Sequence, residues 1–373
     1  MAEPLKGFFS AALVKRIAAS LRAADGSFPA EAFTKEASRG LEKLELVDRA
    51  RHIGRAMGRH LPQPYPSAVH VILRSLGPAH AQDELEGVGM EPFFYMPHLI
   101  FVAEAGLDHF DVSMRAQYEL TQRFTAEFSI RAFLERHPER TLSTLEQWAL
   151  DPRAHVRRLV SEGTRLRLPW GARVKWLDTN PDRILALLDL LKDDPTTLVR
   201  RSVANAMNDM YKVHPERALQ WCGTWLEGGV SDERRALVEH ALRMAVKRGD
   251  PRALELVGYG DAPKVELAAV KLAPKRVKLG GDVLVSFEVV HVGKRSQDLL
   301  VDFAVHFVKS SGKPSPKVFK LGRVTLAPGE RAAFSKRVSL KVHTTRKPFP
   351  GRHEVDVLVN GTRIPAGAFS VVE

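Results

Sequence analysis

Two stretches of the chain repeat at a fixed offset. His155-Val156-Arg157-Arg158-Leu159-Val160-Ser161-Glu162 and Leu198-Val199-Arg200-Arg201-Ser202-Val203-Ala204-Asn205 lie 43 residues apart, pairing Arg158 with Arg201 and Glu162 with Asn205. A second phrase recurs with them: Pro138-Glu139-Arg140-Thr141-Leu142, Pro181-Asp182-Arg183-Ile184-Leu185, Pro215-Glu216-Arg217-Ala218-Leu219 and Pro251-Arg252-Ala253-Leu254, at proline spacings of 43, 34 and 36. Proline suits the first position of a helix, where its missing N–H costs little. A unit of this length is therefore read as a helix pair, with each proline opening the second helix. One pair cannot bury its own apolar stripe, so pairs stack and their inner helices share one surface. The expectation is an all-α, HEAT-like helical-repeat solenoid. Arg234-Arg235 echoes Arg200-Arg201. Residues 1 to about 110 also read as helices, with a loop at 61–66, but carry no legible repeat.

Near Gly260-Asp261-Ala262-Pro263 the apolar period changes to two. Residues 301–308, 337–342 and 355–359 alternate, and Pro328-Gly329 and Asn360-Gly361 are turn signals, the latter that of a tight hairpin. Some seven short strands in about 110 residues predict an all-β sandwich of immunoglobulin-like architecture. The chain is thus read as multidomain, with a helical-repeat domain over 1–260 and a β-sandwich over 264–373.

The formal net charge is +12. It is uneven: residues 264–373 hold 20 Lys+Arg and 9 Asp+Glu, net +11, leaving 36 and 35 in the remainder. Such a balance favours a polyanionic partner. The single cysteine, Cys222, excludes an internal disulfide and any multi-cysteine metal cluster and fits a reducing, cytoplasmic compartment. Between Trp221 and Gly223 on an apolar helix it reads as a core thiol. No apolar run is long enough to span a bilayer.

On a helix over about 196–212, Val199, Val203, Met207 and Met210 form an inward stripe, while Arg201, Asn205, Asn208, Asp209 and Lys212 lie toward another face. A polar face is usually just solvated, yet asparagine is a poor choice for an exposed helix interior. In the preceding copy Arg158, Glu162 and Arg165 share a face. They read either as a surface ion pair contributing about 0.3–0.5 kcal/mol or as part of a binding surface. Trp170, after Pro169 at the start of a short helix, is either a core anchor or an aromatic wall for a cation, worth about 0.5–2 kcal/mol. Glu127 stands between Phe124 and Phe128 on an apolar helix, where an unpaired carboxylate would be costly. Arg123 and Arg131, four residues to either side, are its obvious partners. Lys294-Arg295 and Arg346-Lys347 are basic pairs in inter-strand loops, solvated or gripping phosphates. There is no Gly-rich phosphate loop, HExxH or GxSxG motif, and His52, His60, His70, His98, His109 and His137 show no metal-ligand spacing.

At these residues the chain resembles the AlkC branch of the AlkC/AlkD-like DNA alkylation-repair glycosylases. The likeness rests on Leu120-Thr121 with Phe124-Thr125-Ala126-Glu127-Phe128-Ser129-Ile130-Arg131, on Val156-Arg157-Arg158-Leu159-Val160-Ser161-Glu162-Gly163-Thr164-Arg165-Leu166-Arg167-Leu168-Pro169-Trp170, and on Val199-Arg200-Arg201-Ser202-Val203-Ala204-Asn205-Ala206-Met207-Asn208-Asp209. It runs from residue 1 to about 260, and the β segment resembles the C-terminal immunoglobulin-like domain of some members. Met210-Tyr211-Lys212 and Trp170-Gly171 depart from the family pattern.

The resemblance implies a monofunctional glycosylase that hydrolyses the N-glycosidic bond of cationic N3-alkylated bases, 3-methyladenine and 3-methylcytosine, in duplex DNA without base flipping. It implies Glu127, Glu162, Trp170 and Asp209 as the active-site set, and Arg158, Arg165, Arg201, Asn205, Asn208 and Lys212 as DNA contacts. Lys294, Arg295, Arg346 and Lys347 are expected to add phosphate contacts as the sandwich completes a clamp. The chemistry requires no metal or organic cofactor. The partner is alkylated double-stranded DNA, with no membrane and no obligate protein partner. The setting implied is a bacterial cytoplasm, with nucleoid association when bound to DNA. A non-catalytic helical-repeat scaffold and a lesion-sensing DNA-binding protein are the competing readings.

Overall fold

The structure, a computed structural model, describes residues 5–80, 89–342 and 347–373; Arg346 lies outside the described residues. The chain forms two compact units, Met1–Trp221 with Ser231–Ala241, and Cys222–Val230 with Leu242–Glu373. Helices give way to strands between Leu256 and Val265, as the change of period predicts. The compact division differs: the last helical segments go with the strands.

The first unit is helical throughout its described residues, and the repeat is visible in its packing. The helices Phe110–Thr121, Ala154–Gly163, Thr197–Val213 and Asp232–Ala241 lie side by side, each against the next. The repeated prolines open helices Pro138–Trp148, Pro181–Leu191, Pro215–Trp225 and Pro251–Leu256. Val199, Val203, Met207 and Met210 are fully buried, as their spacing requires. Near the N-terminus the 61–66 loop is shorter than expected, because Tyr65 and Pro66 already belong to the helix Tyr65–Ser75.

The duplicated arginine pair divides its work. The Arg157 guanidinium Nη1 donates to the carbonyls of Asp151 (2.9 Å) and Pro152 (3.0 Å). One repeat on, Arg200 Nη1 donates to Asp194 (2.6 Å) and Pro195 (2.9 Å). The first arginine of each pair thus ties down the Asp-Pro turn entering its own helix, satisfying carbonyls that no helical N–H reaches. Arg157 also bonds the Asp194 carboxylate of the following turn (2.5 Å), stapling one repeat to the next. This frees the second arginine, Arg158 or Arg201, for the inner surface.

Beyond its helical segments, the second unit has eight strands among the described residues: β1 (Val265–Ala273), β2 (Arg276–Lys278), β3 (Asp282–His291), β4 (Gln297–Val308), β5 (Pro314–Leu326), β6 (Arg331–Ser339), β7 (Gly351–Val359) and β8 (Thr362–Val372). They form a three-stranded sheet β1-β3-β6 and a five-stranded sheet β2-β8-β7-β4-β5, antiparallel except for β2 against β8. The extra strand relative to the expected seven is the three-residue β2. Alternate residues fill the core between the sheets: Val283, Val285, Phe287 and Val289 from β3, and Leu299, Val301, Phe303, Val305 and Phe307 from β4. Asn360 and Gly361 turn β7 into β8 with φ of 44° and 77°, the left-handed pair that a two-residue hairpin demands.

Cys222 is fully buried, and burial pushes its thiol up to about 12. Among the described residues no helix is long and apolar enough to cross a membrane, and no group of three or more His, Cys, Asp or Glu is placed to hold a metal ion.

Candidate active site

Three carboxylates from three segments meet in the helical unit. Glu162 is on the last turn of the Ala154–Gly163 helix, Asp209 on the adjacent Thr197–Val213 helix, and Glu127 on the connection between Phe110–Thr121 and Ile130–Arg136. Two guanidiniums join them. Arg165 bonds Glu162 Oε1 (2.6 Å) and, through Nε, Asp209 Oδ2 (2.8 Å). Arg158 lies 3.3 Å from Glu127 Oε2 and 3.6 Å from Glu162 Oε2. Lys212 closes the far side on Asp209 Oδ1 (2.7 Å). Glu127 is 9% exposed, Glu162 5% and Asp209 0%. The Arg158–Glu162 pair is therefore no solvated surface bridge. Removing one member of so enclosed a pair would cost about 3–5 kcal/mol, most of it from the stranded partner charge.

The carboxylates are not equivalent. Both oxygens of Asp209 are occupied. Glu162 gives Oε1 to Arg165 and takes a hydroxyl hydrogen bond from Ser202 on Oε2 (2.6 Å). Every hydrogen bond to the Glu127 carboxylate falls on Oε2, from Thr125 (2.8 Å) and Arg158 (3.3 Å); among the described residues none reaches Oε1. Burial raises the pKa of Glu127; the Arg158 charge works against this and the nearby Glu162 adds to it. Burial also penalises the Glu162 anion, but Arg158 and Arg165, with the Ser202 hydroxyl, outweigh it and its pKa is lowered. The two pocket carboxylates are thus shifted in opposite directions, the surroundings favouring the ionised form of Glu162 and disfavouring that of Glu127.

Glu127, Glu162, Arg158 and Arg165 line a pocket of about 340 Å³ whose remaining wall includes Phe93, Phe124, Phe128, His80, His155 and Trp170. Trp170 is 64% exposed and sits at φ 61° in a turn before the helix Lys175–Thr179. The core-anchor alternative for this indole is thereby removed. A bulky residue in the left-handed region is strained, and such strain needs support from its surroundings. Arg131 supplies that support. Only 3% exposed, it donates to the carbonyls of Gly163 (2.9 Å), Arg165 (2.8 Å) and Ala172 (2.7 Å), bracketing the turn that carries Arg165 and Trp170.

The structure corrects several expectations. Glu127 is on a turn, not a helix, and pairs with neither adjacent arginine. Arg131 holds carbonyls, and Arg123 bonds the Gly77 carbonyl (2.7 Å) and Glu119 (3.2 Å). Asn208 is buried, because the Thr197–Val213 helix is covered on both flanks by its repeat neighbours, leaving only a narrow outward strip. Asn208 is thus 2% exposed, whereas the helix face predicts an outward side chain. Asn205 is half-buried, 3.2 Å from His240. Arg201 is exposed, with no carboxylate in bonding distance among the described residues. Arg158, Arg165 and Lys212 engage carboxylates. In the second unit Lys294 and Arg295 are exposed between β3 and β4, and Lys347 is exposed between β6 and β7. The strand order puts these two loops at opposite ends of the sandwich.

Sequence reasoning missed Ser202, Thr125 and the Arg131 clamp, along with the pocket residues His80, His155 and Phe93. It also missed two buried histidines. His291 Nε2 donates to the Arg295 carbonyl (2.7 Å) and His353 Nε2 to the Phe349 carbonyl (3.0 Å), each fixing one of the basic loops. Thr125 and Arg131 lie inside the motif around Glu127; nothing local marks the others, whose partners are distant in the chain.

Residues 123–248 match the family described as DNA alkylation repair enzyme, and residues 266–373 match the C-terminal Ig-like domain of the uncharacterised protein YhaZ. With the carboxylate cluster in the first region and the sandwich formed by the second, the chain belongs to the AlkC branch of the DNA alkylation-repair family. Among its relatives, the uncharacterized protein YhaZ of Bacillus subtilis (strain 168) is 34% identical over 319 residues, 86% of this chain and 85% of YhaZ. The Pseudomonas fluorescens alkylpurine DNA glycosylase AlkC, solved bound to DNA containing an abasic site analog, is 33% identical. It superposes with a TM-score of 0.91 over 99% of this chain and 100% of its own.

Proposed function

We propose that this protein is a monofunctional DNA glycosylase that hydrolyses the N-glycosidic bond of cationic N3-alkylated bases, 3-methyladenine and 3-methylcytosine, in duplex DNA, without flipping the base. The observation that carries the reading is the convergence of Glu127, Glu162 and Asp209 on two shared guanidiniums beside the exposed indole of Trp170. Glu127 and Glu162 line the pocket itself, where fixed carboxylates favour a reaction that develops positive charge. The likeness to AlkC, whose substrate class is alkylpurine DNA, supports the same chemistry.

N3 alkylation gives the base a positive charge, so it leaves well. When the C1′–N bond breaks, the base takes the bonding pair and departs neutral, and positive charge moves to the deoxyribose. Carboxylates fixed nearby stabilise that transition state more than the ground state. Glu127 is the residue to hold water: its free Oε1 accepts a hydrogen bond from a water whose oxygen bonds C1′ and whose proton passes to the carboxylate. The product is an abasic site with a C1′ hydroxyl. Glu162 supplies fixed negative charge, Asp209 adds its own from behind Arg165, and Trp170 flanks the cationic base. Arg201, Asn205 and Lys212 meet the backbone. Lys294, Arg295 and Lys347 grip phosphates from the sandwich and favour a bend that exposes the sugar.

The test is release of 3-methyladenine and 3-methylcytosine from methylated duplex, wild type beside Glu127→Gln and Asp209→Asn. Wild-type release, with Glu127→Gln slowed about 10²–10³-fold, is expected. Binding to methylated duplex with no release would instead leave a lesion sensor, and binding indifferent to alkylation would leave a scaffold.

A further inference from the structure

We propose that Ser202 is a positioning residue for this reaction, orienting the Glu162 carboxylate through a directed pair of hydroxyls that begins at Ser161. The inference rests on the glycosylase reading of the site. Ser202 lies one residue after the exposed Arg201, yet is buried where the Ala154–Gly163 and Thr197–Val213 helices meet. Its Oγ stands 2.6 Å from Glu162 Oε2 and 2.8 Å from Ser161 Oγ. A carboxylate can only accept, so the single Ser202 proton is committed to Glu162. Ser202 can then only accept from Ser161, whose one hydroxyl proton has the closer acceptor in Ser202 Oγ (2.8 Å) and the farther in the Arg158 carbonyl (3.1 Å). The pair has one direction, from Ser161 through Ser202 to Glu162, ending on a residue that lines the pocket.

A buried serine pair at a helix crossing is ordinarily satisfied packing. Two features set this one apart. The bond to Glu162 is charge-assisted and short. It also fixes the oxygen not held by Arg165, so that Arg165 on Oε1 and Ser202 on Oε2 together define the carboxylate plane. Arg158 at 3.6 Å adds charge to Oε2 without that constraint. A fixed charge contributes to catalysis to the extent that it need not reorient as the reaction proceeds.

The charged groups facing Glu162 are Arg158 and Arg165 from its own segment, Glu127 across the pocket, and Asp209 with Lys212 behind Arg165. Loss of the Ser202 hydroxyl leaves the two arginines in place and removes one group favouring the anion. The Glu162 pKa should rise, and the Glu162 step of the rate profile's acid limb, which lies below that of Glu127, should move to higher pH.

The experiment measures single-turnover base release from methylated duplex as a function of pH for wild type, Ser202→Ala, Ser202→Cys and Ser202→Thr, with folding checked by circular dichroism. Alanine and cysteine, which lack a strong donor, are expected to slow release about ten-fold and shift the Glu162 step of the acid limb upward with affinity for undamaged duplex unchanged. Threonine keeps the hydroxyl and should restore both rate and profile. A folded Ser202→Ala or Ser202→Cys with wild-type rate and profile overturns the proposal, as does a loss that threonine fails to restore. Should wild type release no base, the glycosylase reading fails by itself. The Glu162 carboxyl titration, followed by carbon-13 NMR, then decides the positioning role: an upward shift in Ser202→Ala upholds it and an unmoved titration ends it.

Discussion

Glu127 differs from Glu162 and Asp209 in what its carboxylate still has to offer. One oxygen accepts nothing from the described protein, and burial with the neighbouring Glu162 holds its pKa above the ordinary value. Only the ionised form takes a proton from water. Release should therefore fall as pH drops through the raised pKa of Glu127, the upper step of an acid limb whose lower step belongs to Glu162; Glu127→Gln should remove the upper step and lower the rate, both read in a pH–rate profile. Arg131 makes a prediction of another kind. Its three carbonyl bonds support the strained Trp170 turn, so Arg131→Met should lower stability by on the order of 3 kcal/mol in chemical denaturation. Arg131→Lys should recover only part of this, because an ammonium cannot span three carbonyls as a planar fork does.

At the scale of the element, one repeated dipeptide carries two functions, and they should separate on mutation. Arg157→Ala cuts the staple between successive repeats and strands the buried Asp194, so it should cost about 3–5 kcal/mol of stability. Arg201→Ala removes an exposed side chain. It should leave the unfolding midpoint unmoved, within about 0.5 kcal/mol, while weakening duplex binding in a titration. The inner helices were legible in the sequence because the duplication preserves both their spacing and their apolar stripe. Glu127 was misplaced because the apolar run around Phe124 and Phe128 continues unbroken across a turn, and periodicity cannot register a turn that keeps its hydrophobic residues. The burial of Asn208 and Asp209 was illegible for another reason. A helical wheel assigns polar residues to a face, but whether that face meets water depends on the neighbouring helices. Here Arg165 from the preceding repeat, itself bonded to Glu162, meets Asp209, and the polar face becomes a buried interface of charges.

For the molecule as a whole, charge and architecture bear on one another. The basic loops before β4 and before β7 are separated by the length of a strand of 12 residues, about 40 Å at 3.3 Å per residue. They cannot act as one patch. Charge reversal by Lys294→Glu with Arg295→Glu, and separately by Lys347→Glu, should each weaken duplex binding and flatten its salt dependence. Combined, the losses should add within about 0.5 kcal/mol, as independent sites do; salt titrations of binding would show coupling if the two loops shared a phosphate.

The hairpin at Asn360-Gly361 has an evolutionary consequence. Its tip is in intimate register with the chain before the first strand: a side chain at Gly361 would lie 2.5 Å from Leu254 and 3.0 Å from the Gly249 backbone, and the Asn360 amide donates to the Asp261 carbonyl (3.2 Å). The strand half is thus no portable cassette bounded by residue 264. A recombination event that transplanted it from that point would leave behind the helical residues against which its last hairpin is moulded. Descendants of such an event would inherit a sandwich with one bare, ill-fitting corner, so gain or loss of this module across the family is expected to carry the preceding helices with it.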